Sequence, residues 1–167
     1  ACFLDSLATL GIPAYGYGLR YEYGMFKQAI ERGYQREKPD NWLRRQDPWE
    51  VVRPEFAVEV PFNCTVAVKN GSLTADWDKP SSLMGIPYDR PIVGYSGNIV
   101  NTLRLWQATS SDNFAFDLFS RGDLVAAMQE GLAAESLTRV LYPDDSNPTG
   151  RALRFLQEYF LVTSSLS

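Results

Sequence analysis

Histidine is absent from this chain of 167 residues. Without an imidazole there is no Ser-His-Asp triad, no Cys-His pair and no imidazole general base, and most zinc sites lose a usual ligand. No metal site is expected, and proton chemistry done by these residues alone must use Asp, Glu, Lys, Tyr or a bound group. Cysteine is scarce: Cys2 and Cys64 are the two present, too few for a disulfide framework. Their neighbours are apolar or β-type, so both are expected to be reduced and buried. No apolar run approaches the length of a membrane span, and no basic segment leads into an apolar stretch as in a signal peptide. Positive charge is in deficit, with 16 Lys and Arg against 20 Asp and Glu for a net charge of -4. That balance argues against nucleic acid or an anionic membrane as partner. These absences together predict a cytoplasmic protein.

What is present is apolar and aromatic. Hydrophobic residues make up 45% and aromatics 13%, enough for a real core in one domain's length of chain. The most ordered pattern is Tyr15-Gly16-Tyr17-Gly18-Leu19-Arg20-Tyr21-Glu22-Tyr23. In a strand, alternate side chains share a face. Tyr15, Tyr17, Leu19, Tyr21 and Tyr23 would line one face, and Gly16, Gly18, Arg20, Glu22 and Gly24 the other. Glycine in a strand marks a close approach to the backbone. The run reads as a buried central strand, with Arg20 and Glu22 forming an ion pair on the glycine side.

Around it, Ala1 to Leu10 reads as a helix with Cys2, Phe3, Leu7 and Leu10 as its stripe and Gly11 as its stop. Met25 to Gln28 predicts a hairpin arm. Residues 31 to 55 are polar and turn-rich, an ordered loop that buries Trp42 and Trp49. From Phe56 to Tyr95, and again from Ile99 to Ala108, strands are expected, with Asn70-Gly71 as a hairpin turn. An antiparallel meander is the economical reading. Ser120 and Asp123 resemble a capping box opening a helix to Arg139, with Leu124, Met128 and Leu132 as its stripe. A polar loop from Leu141 to Gly150 leads to a last helix from Arg151 onward, capped by Thr149 and apolar on more than one side. Both ends read as interrupted helices. The expected architecture is α+β, an antiparallel sheet packed on helices, forming a single partial domain over residues 1–167 with no internal linker.

Several ordered blocks resemble the α-glucan (glycogen, starch or maltodextrin) phosphorylases. They are Ala1 to Gly11, Tyr15 to Gly24, Asn41-Trp42-Leu43, Pro48-Trp49-Glu50, Arg53-Pro54-Glu55-Phe56, Pro87-Tyr88-Asp89, Gly94-Tyr95, Asn101 to Trp106, Arg139 to Pro143 and Leu153 to Phe160. The resemblance implies a fragment of that family's N-terminal catalytic domain, part of a larger α/β Rossmann-like fold. It implies a parent enzyme that transfers glucosyl units from α-1,4-glucan to phosphate, giving glucose 1-phosphate. It also implies a homodimer and pyridoxal phosphate as cofactor, whose phosphate group does the acid-base work. The family's glycine-rich loop would precede Ala1, its active-site histidine would follow Ser167, and its cofactor lysine would lie in a second domain. No complete catalytic set and no cofactor-binding residue is then expected here, and the chain alone should be inactive.

The family's gate loop corresponds to Tyr142 through Gly150. Members often carry Asn-Asp-Asn where this chain reads Asp144-Asp145-Ser146, so Tyr142, Asp144, Asp145 and Ser146 are the candidate substrate-facing residues. Arg53 and Arg104 correspond to positions near the subunit and effector region, and residues 123 to 139 to a helix that packs across a dimer. Read from chemistry alone, Asp144 and Asp145 are turn formers and helix-entry charges, and Tyr142 is a packing residue. The competing reading of the whole chain is a non-catalytic carbohydrate-binding or assembly module.

Overall fold

The structure is a computed structural model that describes residues 2–45, 47–62, 65–69, 72–76, 81–110, 120–122, 134–141 and 145–167. The elements run α1 (Cys2–Thr9), β1 (Tyr15–Leu19), β2 (Lys27–Glu31), β3 (Tyr34–Lys38), a 3-10 turn (Trp42–Arg44), β4 (Val51–Val52) and a second 3-10 turn (Pro54–Phe56). Then come β5 (Val58–Phe62), β6 (Thr65–Lys69), β7 (Ser72–Asp76), β8 (Ser81–Val93), β9 (Val100–Ser110) and α2 (Pro148–Leu166).

The framework is the long antiparallel hairpin of β8 and β9, in register from Leu83↔Ser110 to Val93↔Val100. On the far side of β8, β5 pairs as far as Gly85 and β4 takes over at Tyr88. Pro87 falls in the gap between them, and its carbonyl accepts from Arg53 N at 2.9 Å. A proline in a strand is tolerated where its missing N–H leaves no ladder partner wanting. On the far side of β9, β1 pairs in parallel, Tyr15↔Thr102 to Leu19↔Trp106. The expected antiparallel meander therefore holds for β5, β8 and β9, while β1 makes the sheet mixed. β6 pairs antiparallel with β7 up to Lys69↔Ser72, while Asn70 and Gly71, where a hairpin turn is expected, lie outside the described residues.

Alternation along β1 and β9 sorts the two helices to opposite faces. Gly16 and Gly18 face Leu103 and Leu105, and a Cβ on Gly16 would stand 2.6 Å from Leu4 Cδ1 of α1. The bare side of the tyrosine strand thus admits a helix, as expected. The stripe on α1 differs from expectation: Leu4 and Ala8 are buried, whereas Cys2 is exposed and Phe3 is 88% exposed. Leu4 is the α1 side chain that reaches Gly16, while Phe3 turns outward.

The other face carries α2. Val60, Phe62, Trp106, Ala108, Leu137 and Phe160 form the core, with Leu19, Val58 and Leu83 packed against it. Trp106 Nε1 donates to Ser165 Oγ at 3.1 Å, so the buried indole keeps a partner. The cap of α2 is Asn147, whose Oδ1 accepts from Gly150 N at 2.8 Å, with Pro148 at the first helical position. Thr149 is not the cap. Burial on α2 is one-sided: Ala152, Gln157, Phe160 and Ser164 are buried, while Phe155, Val162 and Leu166 are exposed.

Other expectations are revised. The tyrosine run is a strand only to Leu19, it lies at the sheet's edge among the described residues, and Tyr15 and Tyr17 are exposed. The stretch from 31 to 55 contains β3, paired with β2 as an exposed ribbon. Its two-residue turn has positive φ at both Arg32 and Gly33, the geometry that suits a tight hairpin. Trp42 is half-buried, but Trp49 is 71% exposed. Ser120 has helical backbone and is followed by a turn with Gly122 at φ +85°. That geometry follows a helix rather than starting one. Residues 134–137 are helical, and Leu124, Met128, Leu132, Cys64 and Trp77 lie outside the described residues.

Candidate functional site

The candidate loop leaves the helical turn at 134–137 and enters α2. Its start is tied to the end of the tyrosine run: Glu22 N donates to Thr138 O at 2.9 Å and Tyr23 N to Arg139 O at 3.1 Å. Arg139 Nε bonds Glu22 Oε2 at 2.8 Å, which holds the guanidinium above the ordinary arginine pKa, first through that hydrogen bond and then through the carboxylate's charge. Glu22 therefore pairs with Arg139, not with Arg20. Beneath the loop, the 5%-exposed Gln157 on α2 donates from Nε2 to Leu137 O at 2.9 Å and Val140 O at 3.1 Å. A buried amide thus satisfies the last carbonyls of a helical turn.

Tyr142 and Asp144 lie outside the described residues. Asp145 and Ser146 occupy an exposed turn just before the Asn147 cap. The Asp145 carboxylate accepts from Arg154 Nη1 of α2 at 2.9 Å. A cleft of about 310 Å³ opens beside this segment, between the carboxyl end of β1 and α2, with Leu19, Tyr21, Leu141, Arg154 and Glu158 among its lining. In α/β sheets ligands collect at the carboxyl ends of parallel strands. Its lining is largely aliphatic, with Tyr21, Arg154, Gln157 and Glu158 as the polar groups.

Arg53 and Arg104 are brought together on one carboxylate. Arg104 stands opposite Asp89 in the β8–β9 ladder and grips it with two bonds, Nε to Oδ1 at 2.7 Å and Nη2 to Oδ2 at 2.8 Å. The side-chain bond to Asp89 raises the Arg104 pKa, against the opposing effect of burial. Arg53 Nε approaches Asp89 Oδ2 at 3.7 Å, and its Nη1 lies 3.5 Å from Glu55. Asp89 is the shared member that reading by position missed; the signal available was the Pro-Tyr-Asp block facing Asn-Thr-Leu-Arg in a long hairpin.

A third cluster was also missed. Arg20 leaves β1 and bonds Glu50 Oε1 through Nη2 at 2.7 Å and Gln107 Oε1 through Nη1 at 2.7 Å. Its guanidinium lies 3.9 Å from the Tyr88 ring centroid. Arg90 pairs with Asp47 and approaches Glu50 Oε2 at 3.7 Å. Arg20 therefore finds its carboxylate 30 residues away, not at Glu22. Sequence proximity suggested the wrong partner because the strand ends before Glu22.

Among the described residues no group of three acidic or cysteine side chains is placed to hold a metal. No helix among them is long and apolar enough to cross a membrane. Lys27 and Lys38 lie on the exposed β2–β3 ribbon, and Lys38 is 2.7 Å from Glu31. Neither lines the cleft beside α2.

A mixed α/β sheet with helices on both faces is consistent with part of a larger α/β domain. Residues 1–167 match the family of carbohydrate phosphorylases, and the chain belongs to it. It is 48% identical over 166 residues to the glycogen phosphorylase of Haemophilus influenzae and 46% identical over 169 residues to that of Chlamydia pneumoniae. Identity to the human muscle form of glycogen phosphorylase is 46% over 166 residues. In each case 99% of this chain is covered but only 20% of the relative, so the chain spans about a fifth of their length.

Proposed function

We propose that this chain is part of the N-terminal catalytic domain of an α-glucan phosphorylase. The parent enzyme would phosphorolyse α-1,4-glucan to glucose 1-phosphate, as a cytoplasmic homodimer carrying pyridoxal phosphate on a lysine outside this chain. The observation that carries the reading is the match of 99% of the chain to glycogen phosphorylases at 46–48% identity. In this reading Tyr142, Asp144, Asp145 and Ser146 form a loop at the sugar site. Asp145 offers a charged acceptor to glucan hydroxyls, and Tyr142 packs against the ring. Arg53, Arg104 and Asp89 form a structural node at the subunit contact. The exposed apolar side of α2 and the exposed Phe3 of α1 weigh against a self-contained binding module, since such surfaces belong against other protein.

The chain alone would lack turnover, because general acid-base work needs groups it does not contain. Incubated with maltoheptaose, phosphate and pyridoxal phosphate, the purified chain should release no glucose 1-phosphate, while the full-length protein containing it should release it readily. Turnover by the chain alone would overturn the assignment of catalysis to residues elsewhere. A full-length protein without phosphorolysis would overturn the function.

A further inference from the structure

We propose that Arg154, which lines the cleft beside β1, is a positioning residue for the Asp145 carboxylate and holds it in a fixed orientation. The proposal rests on the function proposed above and concerns a residue that reading leaves without a role. Asp145 sits in an exposed turn two residues before the cap of α2. The capping bond belongs to Asn147, which leaves the Asp145 side chain to be oriented by something else. Arg154 supplies it, with Nη1 donating to Oδ2 at 2.9 Å. The partners are nine residues apart, so this is not the neighbour pairing that helix geometry brings about at three or four residues. Arg154 reaches back from the second turn of α2, past the helix N-terminus, to the turn that precedes it.

Three residues further along the same helix face, Gln157 holds the Leu137 and Val140 carbonyls. One face of α2 therefore grips the segment at 137–140 and again at Asp145, and both gripping side chains line the cleft. Gln157 is explained by burial and backbone satisfaction. Arg154 is not: its side chain and that of Asp145 are 48% and 56% exposed, and ion pairs so exposed contribute little to stability. What a guanidinium does offer is direction. Its rigid planar donors fix a carboxylate's orientation better than a flexible ammonium can. A carboxylate that must meet sugar hydroxyls in one geometry gains from that constraint.

The test uses the full-length enzyme with maltoheptaose and phosphate. Arg154→Gln should lower kcat about tenfold, as expected of a misplaced group at a reacting centre, with KM for glucan and the thermal midpoint nearly unchanged. Arg154→Lys should recover part of the rate. In an Asp145→Asn background, Arg154→Gln should lower kcat no further, because the carboxylate it positions is gone. Arg154→Met is measured alongside, so that misfolding of one variant leaves the other to decide. A pair that only supports the fold would shift the thermal midpoint and leave kcat alone. An unchanged kcat, or losses in the double variant that multiply, overturns the proposal. Wild-type enzyme that releases no glucose 1-phosphate overturns the proposed function instead, and the role of Arg154 with it.

Discussion

Asn101 is buried to 2% exposure in β9 and uses its whole amide. Its Oδ1 accepts from Ala14 N at 2.9 Å, and its Nδ2 donates to Leu4 O and Ile12 O, both at 3.1 Å. One side chain thus completes the backbone bonding where α1 ends and β1 begins. Leucine has similar bulk and none of these bonds, so Asn101→Leu would remove the side-chain partner of the Ala14 N–H and of the Ile12 carbonyl. A loss of about 2–4 kcal/mol is expected from a lower urea midpoint at unchanged slope. A midpoint within error of wild type would show that water reaches the site. The arginine pairs behave differently. Arg104 is raised by Asp89, so its contribution is fully present below the unfolded arginine value and is lost only as pH climbs through the higher folded one. No change in that bond from the arginine side is expected near neutral pH.

At the scale of elements, the turn joining β8 to β9 is what seats α1. A Cβ on Gly94 would stand 2.3 Å from Thr9 N and 2.5 Å from the Ala8 carbonyl carbon. Those are backbone atoms of the last turn of α1 and have no rotamer with which to yield. Gly94→Ala should therefore lift α1 from the sheet, speeding amide hydrogen exchange across Cys2–Thr9 while β8 and β9 keep their protection. Protection of α1 equal to wild type would mean that the turn shifts instead. The glycines of β1 announced such an approach in the sequence, since a side chain at Gly16 would meet Leu4. Other elements left weaker marks. β3 is wholly exposed, so no apolar alternation marks it, and its turn is Arg-Gly rather than Asn-Gly. The parallel pairing of β1 with β9 joins residues 87 apart, which no local pattern encodes. At the candidate site the Asp145 turn was legible from turn chemistry and the resemblance. Its grip by Arg154 was not, since a nine-residue pairing depends on how α2 sits against the loop.

For the molecule as a whole, the helices α1 and α2 pose the same question from opposite faces of the sheet. Each buries one stripe and turns another outward: Phe3 on α1, Leu10 just past its end, and Phe155, Val162 and Leu166 on α2 are all more than half exposed. Tyr15 and Tyr17 extend the apolar surface along β1, which is an edge strand among the described residues. Large apolar side chains scattered singly are ordinary on a protein surface. Grouped on helix faces beside an open strand edge, they mark surfaces that other protein covers. In relatives about five times this length, judged by the 20% that it spans, there is ample chain to cover them. The isolated chain has only copies of itself. Sedimentation velocity should therefore show its mean mass rising with concentration, and Phe155→Lys combined with Val162→Lys should shift it toward the monomer without loss of helical circular dichroism. These two residues lie on the outward side of α2, away from the Phe160 core, so the substitutions test the surface rather than the packing. A chain that stays monomeric across the concentration range would show these apolar faces to be tolerable in water, and would restore the self-contained binding module as a reading of this sequence.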